Sequence, residues 1–172
     1  ADYRAFAAVF LKDATIASRL DGVAVLARDE AHRLGAVGPT ARGSGLPLDL
    51  RRTGYAAYSR LAFEPVVETG GAAMARGRVR AREVFQSFDL IRQVLNLLPP
   101  GPVSAKVSGF PRGEHFARLE QPRGEVIYYL QGNGTAYLDR FRVRTPTFAN
   151  LAALTALLQG CELSAVGLVV LS

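Results

Sequence analysis

Apolar positions along the chain predict several short helices around one long helix. Between residues 73 and 98, apolar side chains recur at intervals of three and four positions, at Val84, Phe88, Ile91, Leu95 and Leu98. This spacing places them on one face of a helix, which Pro99 ends. Weaker versions of the pattern predict helices over residues 3–20, 30–34 and 146–158, the second capped by Asp29 and the third by Thr145.

A different periodicity follows the long helix. Residues 126–130 and 137–143 are rich in β-forming side chains, and residues 131–134 supply a turn that tolerates positive φ. In the second strand, apolar and arginine side chains alternate, so one face is apolar and the other cationic. These two strands predict an antiparallel hairpin.

The remaining segments complete the expected fold. Residues 38–45 are rich in glycine and predict a loop, as do residues 103–117, which show little periodicity. Residues 163–171 are apolar and are expected to be buried. The fold class is therefore α+β, mainly α, with one long central helix, a small antiparallel hairpin or sheet and further packed helices.

Composition narrows the class of protein. The chain has 172 residues, 49% of them hydrophobic and 21% charged, which predicts a single domain over residues 1–172 with a real core. Cys161 is the one cysteine, so a disulfide framework or a multi-cysteine metal site within this chain is excluded. The apolar run near the end is much shorter than the roughly 20 residues of a membrane span.

The chain is basic, and arginine carries almost all of its positive charge. Lys and Arg number 21 against 15 acids, and Lys12 and Lys106 are the only lysines. The base composition of the gene can produce this bias, or the planar guanidinium can have been retained for binding anionic groups. The four arginines between Arg76 and Arg82 are expected to form a solvated helix face. A basic nucleic-acid-binding module is the third and least favoured functional hypothesis.

Three segments carry candidate chemistry. In residues 38–51, Arg42, Asp49 and Arg51 follow a glycine-rich stretch whose glycine spacing is not that of a nucleotide-binding motif. The segment is either a structural turn or a ligand site. In residues 120–125, Pro122 and Gly124 flank Arg123, which is either a salt-bridged turn residue or a guanidinium aimed into a cavity.

The third segment is the start of the last predicted helix. Pro146 occupies the first helical position, which suits its fixed φ, and Thr147 follows it. The segment is either a capped helix start or a site that uses the helix N-terminus to bind an anion or dipole.

Taken in order, these segments resemble one known family. The motifs that carry the resemblance are Gly38-Pro39-Thr40-Ala41-Arg42-Gly43-Ser44-Gly45, Asp49-Leu50-Arg51, Tyr55-Ala56-Ala57-Tyr58, Val79-Arg80 with Glu83 and Ser87, Leu98-Pro99-Pro100-Gly101-Pro102, Glu120-Gln121-Pro122-Arg123-Gly124-Glu125 and Arg144-Thr145-Pro146-Thr147-Phe148-Ala149-Asn150-Leu151. Together they resemble the C-terminal half of the large subunit of membrane-bound, energy-converting nickel–iron hydrogenases. That family includes the homologous quinone-pocket subunit of respiratory complex I, the NADH-quinone oxidoreductase of bacteria.

The resemblance implies roles for named residues. In the hydrogenase branch, Arg123 would lie beside the diatomic ligands of the active-site iron, with Pro146 and Thr147 at the same centre. In the complex I branch, the equivalent cavity would receive quinone. Arg42, Asp49 and Arg51 would border that cavity as cofactor-binding residues.

The resemblance also implies cofactors and partners. The nickel-binding cysteine pairs of the family fall outside these residues, so this chain alone is expected to bind no metal or cofactor and to be inactive. Its parent would use a quinone or a nickel–iron centre beside an iron–sulfur cluster on a small subunit, together with membrane subunits, while another subunit binds NADH. The expected location is cytoplasmic, at the inner face of the membrane.

Two departures from the family pattern leave an alternative open. Ala72 and Ala165 occupy positions where the family usually has an acid. A non-catalytic paralogue that serves as a structural or assembly module is therefore the second hypothesis. The isolated fragment is expected to be able to self-associate.

Overall fold

The computed structural model describes residues 2–172 as eight α-helices and one three-stranded antiparallel sheet. The helices are α1 (Asp2–Lys12), α2 (Ala14–Leu20), α3 (Arg28–Arg33), α4 (Gly38–Gly43), α5 (Ala73–Leu97), α6 (Pro146–Ala149), α7 (Leu151–Leu158) and α8 (Leu163–Leu171). The strands are β1 (Arg112–Gln121), β2 (Gly124–Asn133) and β3 (Leu138–Arg144). This architecture confirms the predicted α+β, mainly α class.

The long helix α5 has the predicted length, but the shorter helices differ in their bounds. The first predicted helix is divided into two, α1 and α2, at Asp13. The carboxylate of Asp13 caps α2 by accepting from Ile16 N at 2.9 Å. Asp29 is not the predicted cap, since α3 begins one residue earlier at Arg28. Thr145 is a cap, as predicted: its hydroxyl accepts from Phe148 N at 3.4 Å.

The sheet has the order β1–β2–β3. The predicted hairpin is β2–β3. The strand β1 was not predicted: it begins inside the expected loop of residues 103–117, so that prediction is wrong from residue 112 onward. Most of β1 is exposed on both faces, so its sequence carries little alternation of apolar and polar residues. Pairing with β2 determines its structure, in a register that joins Gln121 to Gly124 and leaves Pro122 and Arg123 as the turn.

The prediction of a loop at residues 38–45 is wrong, because residues 38–43 of this segment form the helix α4. Pro39 stands in its first turn, and Asn150 fixes its start by accepting from Val37 N at 2.9 Å. An added Cβ at Gly43 would lie 2.8 Å from Arg76 Cγ, so the glycine allows α4 to pack closely on α5. Glycine here serves close packing of helices rather than loop flexibility.

The core lies where α3, α4, α7 and α8 meet. It consists of small and medium apolar side chains: Leu26, Ala31, Ala36, Ala41, Leu46, Ala153, Leu157 and Val169. The expectation that residues 163–171 are buried is wrong for most of them, because Val169 packs in this core while Leu163 and Leu171 are exposed. The predicted apolar face of α5 is also largely exposed, with Leu95 at 65%.

Candidate functional site

One cavity brings together two of the predicted site segments. It has a volume of about 140 Å³ and is called the arginine cavity below. Its polar lining consists of Thr40, Arg76, Arg80, Arg123, Thr147, Asn150 and Ser172. Its apolar lining consists of Leu154, Leu157, Val169 and Val170. Arg123 and Thr147, from the β1–β2 turn and from α6, thus border the same space, while Pro146 is buried directly before Thr147.

Two glycines determine where Arg123 stands. Gly38 and Gly124 both have positive φ, +64° and +125°, and their backbones touch. A Cβ at Gly38 would lie 2.2 Å from Arg123 O, and one at Gly124 would lie 2.8 Å from Gly38 N. The β1–β2 turn therefore rests on the start of α4 with no side chain between them, and the Arg123 guanidinium extends from a fixed corner.

Asn150 ties α6 to the same corner of the fold. Its side-chain amide donates from Nδ2 to Val37 O at 3.2 Å, while its Oδ1 accepts from Val37 N. The last predicted helix accordingly breaks at this residue, into α6 and α7. Thr147 is exposed in the first turn of α6, where it lines the arginine cavity.

Arg76 contradicts the expected solvated arginine face. It is 1% exposed. Its guanidinium donates to Gly71 O at 2.8 Å, Ala24 O at 3.0 Å and Ser172 Oγ at 3.0 Å. All three acceptors are uncharged, and Nη2 has no partner among residues 2–172. Burial, with the nearby charge of Arg80, lowers the pKa of Arg76 to about 10.

Arg80 lies one helical turn further along α5. Its Nε donates to Ser172 O at 2.8 Å. Burial lowers the pKa of Arg80, and Arg123 lowers it further against the opposing effect of Glu83. Glu83, three residues further along α5, contacts Arg42 rather than Arg80.

The segment with Arg42, Asp49 and Arg51 forms a buried ion network with acids from two other elements. Arg42 lies 2.7 Å from Glu83 of α5, 2.8 Å from Glu120 of β1 and 3.2 Å from Asp49. Arg51 pairs with Asp49 at 2.7 Å. The guanidinium of Arg42 is thus surrounded by three carboxylates, and it joins α4, α5 and β1.

This network borders a second cavity of about 400 Å³. Arg42, Arg51 and Arg80 line it, together with Tyr58, Glu83 and Glu120. Arg80 also lines the arginine cavity, so the two spaces share one side chain. The role of Arg42, Asp49 and Arg51 as cofactor-binding residues stays a prediction; in the structure their charged groups are directed at one another and at the two glutamates.

Glu83 predicts a pH dependence of stability. Burial raises the pKa of Glu83 despite the opposing charge of Arg42. The folded state therefore binds the proton more tightly than the unfolded state does. The stability that protonated Glu83 contributes is fully present below its ordinary pKa of 4.5 and is lost as the pH rises through the raised pKa. We expect Glu83→Gln to flatten this part of a pH series of denaturant unfolding; equal slopes in the two proteins would contradict it.

Sequence reasoning missed the inward-facing residues of α5. Arg76, Arg80 and Glu83 follow one another at intervals of four and three positions, the spacing of one helix face. The apolar stripe further along α5 was the stronger signal, but it marks an exposed face. Glycine residues on α4 are the remaining clue, since they indicate which part of α5 another helix approaches.

Membrane-spanning and metal-binding features are both lacking in the described part of the chain. Within residues 2–172, no helix is both long and apolar enough to cross a membrane. The same residues contain no group of three or more His, Cys, Asp or Glu side chains placed to hold a metal ion.

Comparison with known proteins identifies the family. The family described as "Respiratory-chain NADH dehydrogenase, 49 Kd subunit" matches residues 1–110 and 104–172. The carbon monoxide-induced hydrogenase of Rhodospirillum rubrum is 41% identical over 158 residues, which cover 91% of this chain and 44% of that protein. A subunit of the F420H2 dehydrogenase of Methanosarcina mazei is 36% identical, and the match covers 91% of this chain and 45% of that protein.

A solved structure extends the match to the whole fold. A chain of the membrane-bound sulfane sulfur reductase, an archaeal respiratory membrane complex, superposes with a TM-score of 0.87 and 30% identity. The superposition covers 98% of this chain and 48% of that chain. This chain therefore spans about half the length of the relatives it matches. It belongs to the family of the 49 kDa subunit of respiratory-chain NADH dehydrogenase, as the resemblance of its motifs implied.

Proposed function

We propose that this chain is the C-terminal part of the large subunit of an electron-transferring membrane complex of the hydrogenase and complex I type. In this proposal, the arginine cavity borders the place where the redox ligand reacts. The observation that carries the proposal is the convergence of Arg123 and Thr147, from the β1–β2 turn and from α6, on one cavity. A charged donor from a strand turn and a hydroxyl from a helix start thus face the same space.

The residues present fit one edge of such a ligand. Arg123 supplies a charged donor and Thr147 a neutral one, while α7 and α8 supply apolar walls. A quinone or a nickel–iron centre supplies the electron-accepting chemistry when bound. The volume of about 140 Å³ is below the roughly 300–1,000 Å³ of ordinary ligand pockets, so the rest of the ligand would lie against residues outside this chain.

The two donors would act by stabilising negative charge. A guanidinium and a hydroxyl that are already in position when the reaction begins lower the energy of an oxygen or a diatomic ligand that gains negative charge. Arg123 is suited to the task because its side chain forms no ion pair with any acid in residues 2–172.

Partner subunits complete the proposal. An iron–sulfur small subunit would deliver electrons, and membrane subunits would anchor the complex at the membrane. The exposed apolar face of α5, with Ile91 at 55% and Leu95 at 65%, supports a surface that another chain covers. The isolated chain would be inactive because the metal ligands and much of the pocket lie elsewhere.

The test uses the full-length protein in its complex. Nickel analysis and the binding of a quinone analogue are measured on the same preparation. Bound nickel supports the hydrogenase branch, and analogue binding without nickel supports the quinone branch. Absence of both would overturn the redox proposal and support the alternative of a non-catalytic assembly module. That alternative rests on Ala72 and Ala165, which stand where the family usually has an acid.

A further inference from the structure

Arg76 is a buried cation without a counter-ion among residues 2–172. Of its guanidinium nitrogens, Nε and Nη1 donate to uncharged oxygens, and Nη2 has no partner among the described residues. Leaving a buried charged donor unpaired is costly. The Arg76 side chain is one of those that line the arginine cavity, so an anion in that cavity would lie beside the buried charge.

Two more cations border the same cavity. Arg80 and Arg123 join Arg76 in its lining, and within residues 2–172 none of the three pairs with a side-chain carboxylate. The contrast with the neighbouring network is clear, because there Arg42 contacts three carboxylates. Like charges that share a small space repel one another, and a bound anion would relieve that repulsion.

We propose that the arginine cavity binds one small oxyanion, of the size and charge of sulfate or phosphate, at Arg80 and Arg123 and beside the buried guanidinium of Arg76. The volume of about 140 Å³ accommodates an ion of this size. The guanidinium fork matches the geometry of oxyanion oxygens. This inference goes beyond the proposed redox function: Arg76 has no part in that proposal, although Arg123 and the cavity are common to both.

The position of Ala72 provides a way to occupy the site from within the chain. Ala72 is the N-cap of α5 and has no side-chain group to cap the helix. It lies four residues before Arg76, on the same face of the helix, and the Arg76 guanidinium already reaches the carbonyl of the adjacent Gly71. An aspartate at position 72 would therefore place a carboxylate beside the Arg76 guanidinium.

The experiment measures sulfate binding to the full-length protein in its complex by calorimetry, at constant ionic strength. We expect one sulfate site per chain in the natural protein. Ala72→Asp should weaken sulfate binding roughly 10- to 100-fold, the value of a charge-assisted hydrogen bond lost to an internal competitor. Ala72→Asn, which has the same shape without the charge, should retain the affinity of the natural protein. Absence of sulfate binding, or equal affinities in the two variants, would overturn the proposal.

A structure of the complex with and without sulfate separates two sources of the anionic oxygen. Density for a free tetrahedral ion in the arginine cavity, beside Arg76, supports the proposal, whereas a carboxylate from elsewhere in the full-length chain at that position overturns it. Sulfate affinity and the nickel and quinone measurements are independent readouts. A failure of the oxyanion site can therefore be distinguished from a failure of the redox proposal.

Discussion

Replacing Arg42 by methionine is expected to lower the free energy of unfolding by about 3–5 kcal/mol, the usual cost of removing one partner from a buried ion network. Arg42 is fully buried and lies within 3.2 Å of Asp49, Glu83 and Glu120. Without it, three carboxylates remain in a poorly hydrated space with Arg51 as the nearest cation. Methionine preserves much of the side-chain volume, so the loss reports on charge rather than on a cavity.

Urea denaturation of the purified protein measures this loss. Arg92→Met is the matched control, since Arg92 and its partner Asp89 are both largely exposed and such pairs contribute little. Adding Glu83→Gln to the Arg42→Met protein should recover part of the lost stability, because it removes one of the uncompensated charges. An Arg42→Met protein as stable as the control would show that the network does not hold α4, α5 and β1 together.

Replacing Arg123 by glutamine is expected to lower the electron-transfer rate of the full-length complex about 100- to 1,000-fold. This is the usual cost when an enzyme loses one donor that stabilises developing charge. Folding should be unaffected, because the Arg123 side chain is exposed and forms no ion pair within residues 2–172. Lysine retains the charge but not the planar fork, so Arg123→Lys should fall between the two.

The rate is measured in membranes that contain the complex, with content normalised by immunoblot. Arg140→Gln is the control, since Arg140 is an exposed arginine of β3 that does not line the arginine cavity. A normal rate in the Arg123→Gln complex would remove this residue from the proposed reaction.

Segments with a strong local signal were predictable from the sequence. The helix α5 has both a regular apolar stripe and a proline stop, and the β2–β3 hairpin has alternation on either side of a turn. Thr145 was found as a cap because the preference of hydroxyl residues for that position is local. In each case, the interactions that determine the structure lie within a few residues of one another.

Segments shaped by distant contacts were not predictable in this way. Residues 38–43 look like a loop because glycine and proline interrupt them, yet α4 forms through packing on α5 and the hydrogen bonds of Asn150. β1 depends on its pairing with β2. The burial of Arg76 required knowing which part of α5 the other helices cover, because the apolar stripe begins only at Val84, two turns further along the helix.

The candidate site was partly accessible to sequence reasoning. The motif resemblance singled out Arg123 and Thr147, and the structure brings them to one cavity, while their chemical roles stay predictions. The same reasoning grouped Arg42, Asp49 and Arg51, which do lie together. It did not find Glu83 and Glu120 as their partners, because these acids come from other elements.

The contact between Gly38 and Gly124 bears on how accurately an exposed side chain can be aimed. Main chain touches main chain there, so no rotamer change can absorb a displacement of one segment relative to the other. An insertion in the β1–β2 turn, or any larger residue at either glycine, would have to tilt the whole hairpin. The direction of Arg123 is consequently inherited from the backbone, and mutational drift at these two positions should be far more restricted than at the solvent-facing tips of the same sheet.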